Sequence, residues 1–443
     1  MKRRSFIKKA GAAVAASIAL PYILPSGRLF ASSGIRKANH VVFCLFAGGV
    51  RNLESIHKID GNLMPNLLNG SEAISSDILS GMDPLPAPVL SQPLQNFGTL
   101  FKEFRYKEGP TGHYNGHTCA VTGKYTSTDL NIKDHPQYPT IFEYYRKHNS
   151  PSNSPMNAWW ISNQLGPYPA LNYSKYPGYG SAFGANFMAP TSLISIDGYD
   201  ALGNMKSYSS NEEAAITKIK SFLNNNFNKT YTEGDAGIVN TESDQALLKN
   251  YITDSFNKAL AGQFNNPWGA GASMNNDMYN VFFAEELIKE FKPELLVVNM
   301  QDVDICHNNF TQYANNLRKA DYAVAHLWNT IQNTPGMAND TVLIVAPEHG
   351  RNQATNNSID PFGRYAIDHT ASVDLSGDQM AREIFCLVAG PPSVVNQNLV
   401  INQTAGESIE IIPTIANILG FDTSLPTGIL KPYSSCDMQQ AFI

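Results

Sequence analysis

Five side chains of the kinds that bind metal ions stand at three separate places in this chain. Asp304 and His307 form one pair, Glu348 and His349 are adjacent, and His369 follows them. Each place lies beside a short apolar run that predicts a β-strand. Because the strands of a parallel sheet end side by side, residues far apart in sequence meet in the crevice outside their carboxyl ends. We therefore expect these side chains to gather at one edge of a sheet.

Carboxylate and imidazole together suit zinc, iron or manganese better than calcium. Carboxylates neutralise part of the ion's charge, and neutral imidazoles complete the coordination shell while leaving a position open for water or substrate. The pattern predicts a metal-assisted hydrolase with one or two divalent ions, zinc first, and manganese, iron or calcium as alternatives. In this interpretation Asp304, His307 and His369 hold one ion. Glu348 and His349 hold a second ion or orient the nucleophile.

Apolar runs alternate with amphipathic segments on both sides of these residues. This alternation favours parallel strand pairing and an α/β fold with a mostly parallel central sheet and helices on both faces. Strands are predicted at residues 41–46, 158–161, 295–300, 341–346 and 384–389, and helices at 140–147, 277–291 and 312–332.

The middle of the chain has a different composition. From about residue 166 to residue 210, Tyr, Gly, Pro, Ser and Asn dominate, which is typical of loops. Two helices are predicted after it, at 212–223 and 243–261. We interpret residues 166–275 as a loop-rich insertion, or cap, within a single domain that spans residues 38–443.

The first residues resemble an export signal. Residues 2–8 read KRRSFIK, and an apolar stretch at 10–24, interrupted by Pro21, follows them. This is the pattern of a twin-arginine signal, and the stretch is too short to span a bilayer comfortably; a membrane anchor is the alternative. The prediction is a signal peptide at residues 1–31, recognised by the twin-arginine export machinery, and a periplasmic or secreted mature protein. Beyond it, no run approaches the roughly 18 apolar residues of a spanning helix.

Net charge narrows the classes of partner. Residues 1–31 contain six of the 32 basic residues and no acidic one, so the remainder has 26 basic against 38 acidic residues, a formal charge of about −12. Nucleic-acid binding is therefore not expected, because it draws its affinity from Lys and Arg meeting phosphates. A small anionic ester substrate would need local positive charge, which a bound metal ion supplies.

Five scattered cysteines are too few for a disulfide framework. Cys44 and Cys386 lie in apolar runs and are expected to be core residues. Cys306 adjoins His307 and is an alternative ligand, although a buried residue without a role is the favoured interpretation.

Several segments, taken in order, resemble one known superfamily. The strand followed by Asp304 and His307, the segment 347–350 (PEHG), the pair Asp368-His369, the segment 122–125 (TGKY) preceded by His117, and the stretch 409–420 each match one of its motifs. This is the alkaline phosphatase superfamily of phosphatases, phosphodiesterases, sulfatases and cofactor-independent phosphoglycerate mutases. The resemblance implies a three-layer α/β fold and hydrolysis of phosphate or related esters. The sequence around residues 307 and 348–352 is similar to that of an exported, DUF1501-like branch of the superfamily.

The sequence also departs from that pattern. The superfamily's first strand ends in a metal-binding aspartate, where this chain has Ala47. Its nucleophile position falls on His113 rather than on Ser, Thr or Cys. Thr111 and Thr118 are nearby hydroxyls that a shift of register would supply.

The resemblance therefore gives His113, Thr118 and His117 as candidate catalytic residues, with a supporting role for the histidines as the alternative. Residues 112–117 are interpreted as a Gly-rich loop. The sulfatase Cys-x-Pro-Ser-Arg motif is absent, and Asp302 competes with Asp304 as a ligand.

Two functions of different class follow from these patterns. The first is an exported metal-dependent hydrolase of phosphate or related esters. The second is a catalytically impaired superfamily member that acts as a periplasmic or surface binding or assembly protein. Ala47 and His113 argue for the second.

Overall fold

The computed structural model describes residues 34–443 apart from 86, 128–133, 150–153, 164–170, 191–237, 270, 272 and 371–376. Before residue 34 it describes only the strands Tyr22–Ile23 and Leu29–Phe30, which pair antiparallel. The rest of the predicted signal peptide at 1–31 and the predicted helix at 212–223 lie outside the described residues.

Eight strands form one central sheet. They are β1 His40–Phe46, β2 Gly98–Arg105, β3 Ala158–Ile161, β4 Asn186–Met188, β5 Leu295–Met300, β6 Thr341–Pro347, β7 Glu383–Ala389 and β8 Leu399–Glu407. Their order is β8-β2-β7-β6-β1-β5-β3-β4. All neighbouring pairs are parallel except those that β7 makes with β2 and β6. The prediction of a mostly parallel sheet is confirmed.

The central strand β1 lies between β5 and β6, and the three strands end level. Phe46, the last residue of β1, pairs with Met300 of β5 and with Pro347 of β6. Side chains 41–46 of β1 are fully buried, as expected for a parallel strand that is covered on both faces. The segments that leave these three strands therefore start next to one another.

Helices cover both faces of the sheet, so the predicted three-layer architecture is confirmed. Val42, Cys44 and Phe46 belong to one apolar cluster, whereas the alternate residues Val41 and Phe43 belong to another. The helices are α1 Ser76–Leu79, α2 His113–Thr122, α3 Ile141–His148, α4 Glu242–Leu260, α5 Asn276–Phe291, α6 Phe310–Asn333 and α7 Ile411–Ile418. Residues of α4, α5 and α6 lie in the first cluster, and residues of α2, α3 and α7 lie in the second.

The interpretation of residues 112–117 as a loop is wrong, because α2 begins at His113. Gly116 suggested a loop, but its role is steric: a Cβ there would lie 2.8 Å from Glu348 Oε2. Glycine lets the helix backbone approach this side chain closely, at some cost in helix propensity. The helix ends at Gly123, whose φ of 67° is the left-handed conformation common at helix C-termini.

Strands β2, β4 and β8 were not predicted from the sequence. β8 lies at the edge of the sheet, and its middle residues, 402–404, are exposed polar side chains rather than an apolar run. Only tertiary pairing with β2 marks this segment as a strand.

The described part of the predicted insertion is built into the domain. β4 extends the sheet beside β3, and the helix expected at 243–261 is α4. Tyr173 stacks on His135 with ring centroids 4.2 Å apart. Whether the insertion caps the site stays a prediction. No described helix combines the length and the apolar composition required to cross a membrane.

Candidate metal centre

Four side chains meet at the sheet edge where β5, β1 and β6 end. His113, Asp304, His307 and His369 each offer a ligand atom, and these atoms lie within 4.8 Å of one another. His307 Nε2 is 3.1 Å from Asp304 Oδ1 and 2.8 Å from His369 Nε2. His369 Nε2 is 3.7 Å from Asp304 Oδ1. The structure thus brings together the first three predicted ligands and adds His113.

The topology explains how residues so far apart converge. A short 3-10 helix, Asp302–His307, follows β5 and contains both Asp304 and His307. His113 begins α2, which follows β2 at the same edge of the sheet. β7 runs antiparallel to its neighbours, so it begins at this edge, and the segment that precedes it places His369 there.

The rings of His307 and His369 are oriented by hydrogen bonds at their Nδ1 atoms. His307 Nδ1 lies 2.7 Å from Asp368 Oδ1, and His369 Nδ1 bonds the backbone oxygen of Thr111. When Nδ1–H donates to these acceptors, the Nε2 atoms that face Asp304 are the ones left to bind a metal ion. A carboxylate or carbonyl behind a histidine is the usual support of a metal ligand.

His113 is oriented in the same way. Its Nδ1 is 2.8 Å from Glu348 Oε1, and its Nε2 is 3.1 Å from Asp304 Oδ2. All three imidazoles therefore present Nε2 to one carboxylate.

The spacing of the donor atoms fits a divalent ion. Donors at 2.0–2.1 Å from a tetrahedral zinc ion are separated by roughly 3.3 Å. The three distances among Asp304 Oδ1, His307 Nε2 and His369 Nε2 run from 2.8 to 3.7 Å. Two Nε2 atoms only 2.8 Å apart also require a shared proton or cation between them. The donor set, imidazole and carboxylate, is one that zinc accepts.

The electrostatics keep Asp304 ionised. Burial alone would raise its pKa, but hydrogen bonds with His113, His307 and His369 outweigh burial and hold the pKa of Asp304 well below its usual range. Burial would lower the pKa of His113, yet Glu348 and Asp304 raise it to about 10. Without an ion, the imidazolium of His113 therefore balances part of the carboxylate charge, whereas burial holds the pKa of His369 well below its ordinary value; a divalent ion would take over the balancing role.

Glu348 and His349 form a second group with His113. Glu348 is buried, and its Oε1 accepts a 2.6 Å hydrogen bond from the backbone N–H of Gly48. His349 Nδ1 bonds the backbone oxygen of Gly350 at 2.8 Å. His349 Nε2 is 3.2 Å from Glu348 Oε1 and has no hydrogen-bond partner among the described residues.

Arg351 is a buried cation that sequence reasoning missed. Its guanidinium bonds Asp304 Oδ1 at 3.0 Å and donates to the backbone oxygens of Gly48, Gly49 and Ile367. Arg351 thus joins the segments that follow β1, β5 and β6. Its position two residues after His349 was the only sequence signal for it.

Asp302 and Cys306 were the alternative ligands, and both lie outside the two ligand groups found among the described residues. The Asp302 carboxylate accepts hydrogen bonds from Asp277 N at 3.2 Å and Asn276 Nδ2 at 3.3 Å, at the start of α5. Cys306 is fully buried, and burial raises the pKa of its thiol to about 12, which disfavours the thiolate that binds metals.

The two hydroxyls that a register shift would supply have different surroundings. Thr111 Oγ1 donates to the backbone oxygen of His369 at 2.8 Å, and Thr118 is buried within α2. His117 is buried, with Nδ1 3.0 Å from Glu348 Oε2 and Nε2 2.9 Å from Asn299 Oδ1. His117 thus contacts the second group from inside the protein, and His113 alone of the three candidates reaches the first group.

A polar pocket of about 700 Å³ opens beside the centre. Asp304 and His307 form part of its wall, and carboxamides form much of the rest: Asn275, Asn276, Gln301, Asn308, Gln312 and Asn316. Among the described residues that line the pocket, none is Lys or Arg. The pocket can therefore hydrogen-bond a polar group next to the ligand cluster without supplying formal positive charge.

Comparison with solved structures finds distant likenesses. One is a protein of the alkaline phosphatase superfamily from Vibrio parahaemolyticus, with 11% identity over 94% of this chain and 77% of that one and a TM-score of 0.43. Another is the wild-type alkaline phosphatase PafA, with 9% identity over 93% of this chain and 100% of that one and a TM-score of 0.46. A third is the sulfatase PsFucS1 from Pseudoalteromonas, with 11% identity over 92% and 76% and a TM-score of 0.44. No curated protein matches the chain.

The family comparison is more specific. The model of the type I phosphodiesterase / nucleotide pyrophosphatase family matches residues 81–400, a stretch that includes every residue of both ligand groups. This match confirms the resemblance to the alkaline phosphatase superfamily, whereas the DUF1501-like branch stays a prediction. Because the matched stretch is well over half of the 443 residues, the chain belongs to the type I phosphodiesterase / nucleotide pyrophosphatase family.

Proposed function

We propose that this protein is an exported, metal-dependent hydrolase of phosphate or related esters. The convergence of Asp304, His307 and His369 beside an open polar pocket carries the proposal. These residues offer three donors at distances that suit one divalent ion, and the two histidines already have their Nδ1 protons committed. Family membership supports the class of reaction.

Each part of the site has a task in this proposal. A divalent ion held there would polarise the ester's phosphoryl oxygen and lower the pKa of water. Asp304, His307 and His369 hold the ion, and Asp368 keeps the His307 ring in the orientation that binds. Arg351 fixes Asp304 through a charged hydrogen bond of 3.0 Å.

The pocket favours a polar, uncharged departing group. Its carboxamides, such as Asn276 and Gln312, donate and accept hydrogen bonds, and no cation among its lining residues would select a second anionic group. The substrate is thus a small anionic ester whose charge faces the metal and whose departing group faces the carboxamides.

Assays with nitrophenyl phosphate, bis-nitrophenyl phosphate and nitrophenyl sulfate test the reaction. Zinc, manganese and calcium would each be added to metal-stripped protein. We expect hydrolysis of at least one ester, dependent on metal and lost in Asp304→Asn. Silence across the panel, in protein that binds metal, would instead favour the binding or assembly protein.

Export is a separate part of the proposal and rests on residues 2–8, KRRSFIK. Twin-arginine signals depend on the paired arginines. A variant with Arg3→Lys and Arg4→Lys should stay inside the cells of a bacterial host, whereas the unaltered chain should reach the periplasm or the medium. Equal distribution of the two chains on fractionation would contradict this part alone.

A further inference from the structure

The two ligand groups share His113, and one imidazole cannot serve both groups in the same way. Its Nδ1 faces Glu348, and its Nε2 faces Asp304. We propose that His113 Nε2 is the fourth ligand of a single ion and that Glu348 is a positioning residue that binds no ion of its own. This inference rests on the proposed function, because it concerns the same metal site.

The hydrogen bonds of Glu348 support this assignment. Its Oε1 accepts from Gly48 N at 2.6 Å and from His113 Nδ1 at 2.8 Å. A carboxylate oxygen has about two lone-pair positions, so these two donors saturate Oε1. An ion could bind Oε1 only by displacing one of them.

The other oxygen of Glu348 is closed off by the helix. Oε2 has no hydrogen-bond partner among the described residues, but it faces Gly116 so closely that a Cβ on that residue would lie 2.8 Å away. The His117 ring, whose Nδ1 bonds the backbone oxygen of His113 at 2.7 Å, lies 3.0 Å from Oε2. The side chain is fully buried. Oε2 is thus enclosed by the helix backbone and the His117 ring and is not exposed to solvent that would supply the water ligands of a second ion.

His113, in contrast, has the surroundings of a ligand. Its side chain is 24% exposed, close to the values for Asp304 and His307, and its Nε2 lies 3.1 Å from Asp304 Oδ2. The carboxylate behind Nδ1 repeats the arrangement of Asp368 behind His307. Carboxylate–histidine–metal chains of this kind raise the basicity of the ligand nitrogen.

The chemistry of the site changes with this assignment. Three imidazoles and one carboxylate would hold the ion, and His113, which stands at the superfamily's nucleophile position, would be a ligand rather than a nucleophile. The nearby hydroxyl of Thr111 donates to the backbone oxygen of His369, and Thr118 is buried. Turnover would then proceed by direct attack of water on phosphorus: an O–P bond forms, the ester O–P bond breaks, and the departing oxygen takes up the proton that the attacking water releases. A nitrophenyl phosphate assay with added methanol should therefore yield no methyl phosphate.

Cobalt(II) loading of His113→Cys tests the ligand role without relying on turnover. A cysteine thiolate bound to cobalt gives an intense near-ultraviolet charge-transfer band, which a serine cannot give. We expect the band in His113→Cys and not in His113→Ser or the native chain, whose described cysteines are buried and outside both groups. Cobalt bound at native affinity by His113→Cys without the band would overturn the proposal.

Ion counting tests the role of Glu348. Zinc per chain, measured by mass spectrometry after dialysis, should be one in the native protein, in His349→Ala and in the control His326→Ala, whose ring stacks on Trp268 instead. Two ions in the native protein, falling to one in His349→Ala, would overturn the single-ion assignment and leave the proposed function standing. No bound ion at all would contradict both.

A last measurement distinguishes a positioning role of Glu348 from a purely structural one. Glu348→Gln keeps an oxygen that accepts from His113 Nδ1 but loses the charge, so zinc affinity should fall about 10-fold, the lower end of such effects, with one ion still bound. Unchanged affinity in a folded Glu348→Gln protein would count against the positioning role. Because this residue is buried, circular dichroism would first establish that the variant folds.

Discussion

Glu348 and Glu285 are two glutamates with the same exposure, 2%, and opposite electrostatics. Glu285, on α5, accepts a hydrogen bond from Trp268 Nε1 at 3.0 Å, but burial prevails and raises its pKa to about 7. Glu348 lies among His117, His349 and His113, which overcome burial and hold its pKa well below the usual range. Burial alone therefore does not determine the charge of a carboxylate in this fold.

The difference distinguishes two regions: a scaffold region around Glu285 on α5, and a site region around Glu348 and Asp304 at the sheet edge. Around α5 the protein accommodates a carboxyl group that is most easily buried when protonated. At the sheet edge, imidazoles stabilise negative charge on Glu348 and Asp304, which is the condition for binding a cation.

The largest effect is expected when the site region loses its central carboxylate. Asp304→Asn removes the group that all three imidazoles face, so zinc affinity should fall on the order of 100-fold or more, beyond the effect of losing an outer partner. Titration against a competing chelator measures this. Asp302→Asn is the matched control, since its carboxylate caps α5 and lies outside both groups. Equal losses in the two variants would erase the distinction between ligand and neighbour.

The second-largest effect is expected when the metal ion is removed from the native protein, which should lower its stability. An ion at 100 times its dissociation constant stabilises the folded state by about 2.7 kcal/mol, so chelation should lower the melting temperature by several degrees. Asp304→Asn should show almost no change on chelation. A native melting curve that is insensitive to the chelator would mean that the histidines only form hydrogen bonds with the carboxylates and bind no metal ion.

In the scaffold region, the pH dependence should have the opposite sign from that of a stabilised carboxylate. The folded-state pKa of Glu285 is about 7, above the ordinary 4.5, so its burial costs increasing stability as the pH rises from about 4.5 to 7. Glu285→Gln avoids this cost and should be more stable than the native protein by up to about 3 kcal/mol above pH 7. Urea unfolding at pH 5 and pH 8 measures the difference; a gap that does not widen with pH would refute it.

The smallest effect is expected at the rim of the site. Gln312→Leu keeps the volume of the side chain but removes one carboxamide from the pocket wall. The loss of one hydrogen bond worth about 1 kcal/mol should lower kcat/KM about 5-fold. Gln92→Leu, which is exposed and not part of the described pocket lining, should leave kcat/KM unchanged. An equal decrease in both variants would remove the pocket from the proposal.

Much of the scaffold was readable from local patterns. β1, β5, β6 and β7 are short apolar runs, and central strands need such runs because helices cover both faces of the sheet. β8 was missed because an edge strand keeps exposed polar residues. The helix at His113 was missed because Gly116 suggested a loop. The glycine is needed instead for a close contact with Glu348, which is far away in sequence.

The candidate site was predictable in part for a similar reason. Asp304, Glu348 and His369 follow or precede apolar runs, so their placement at one edge followed from sheet topology. The orientation of each ring was not predictable, since it depends on partners such as Asp368 and Thr111 that only the folded chain supplies. His113 was identified through the family resemblance, but its contact with Asp304 required the structure.

The hydrogen bonds of Arg351 to four backbone oxygens and to Asp304 have a thermodynamic consequence. They tie the chain after β1 to the segments that hold Asp304 and His369. The conformational entropy lost in arranging the ligands is therefore lost when the chain folds, not when the cation arrives. Such a preorganised centre can capture its cation quickly and tightly, without waiting for loops to order.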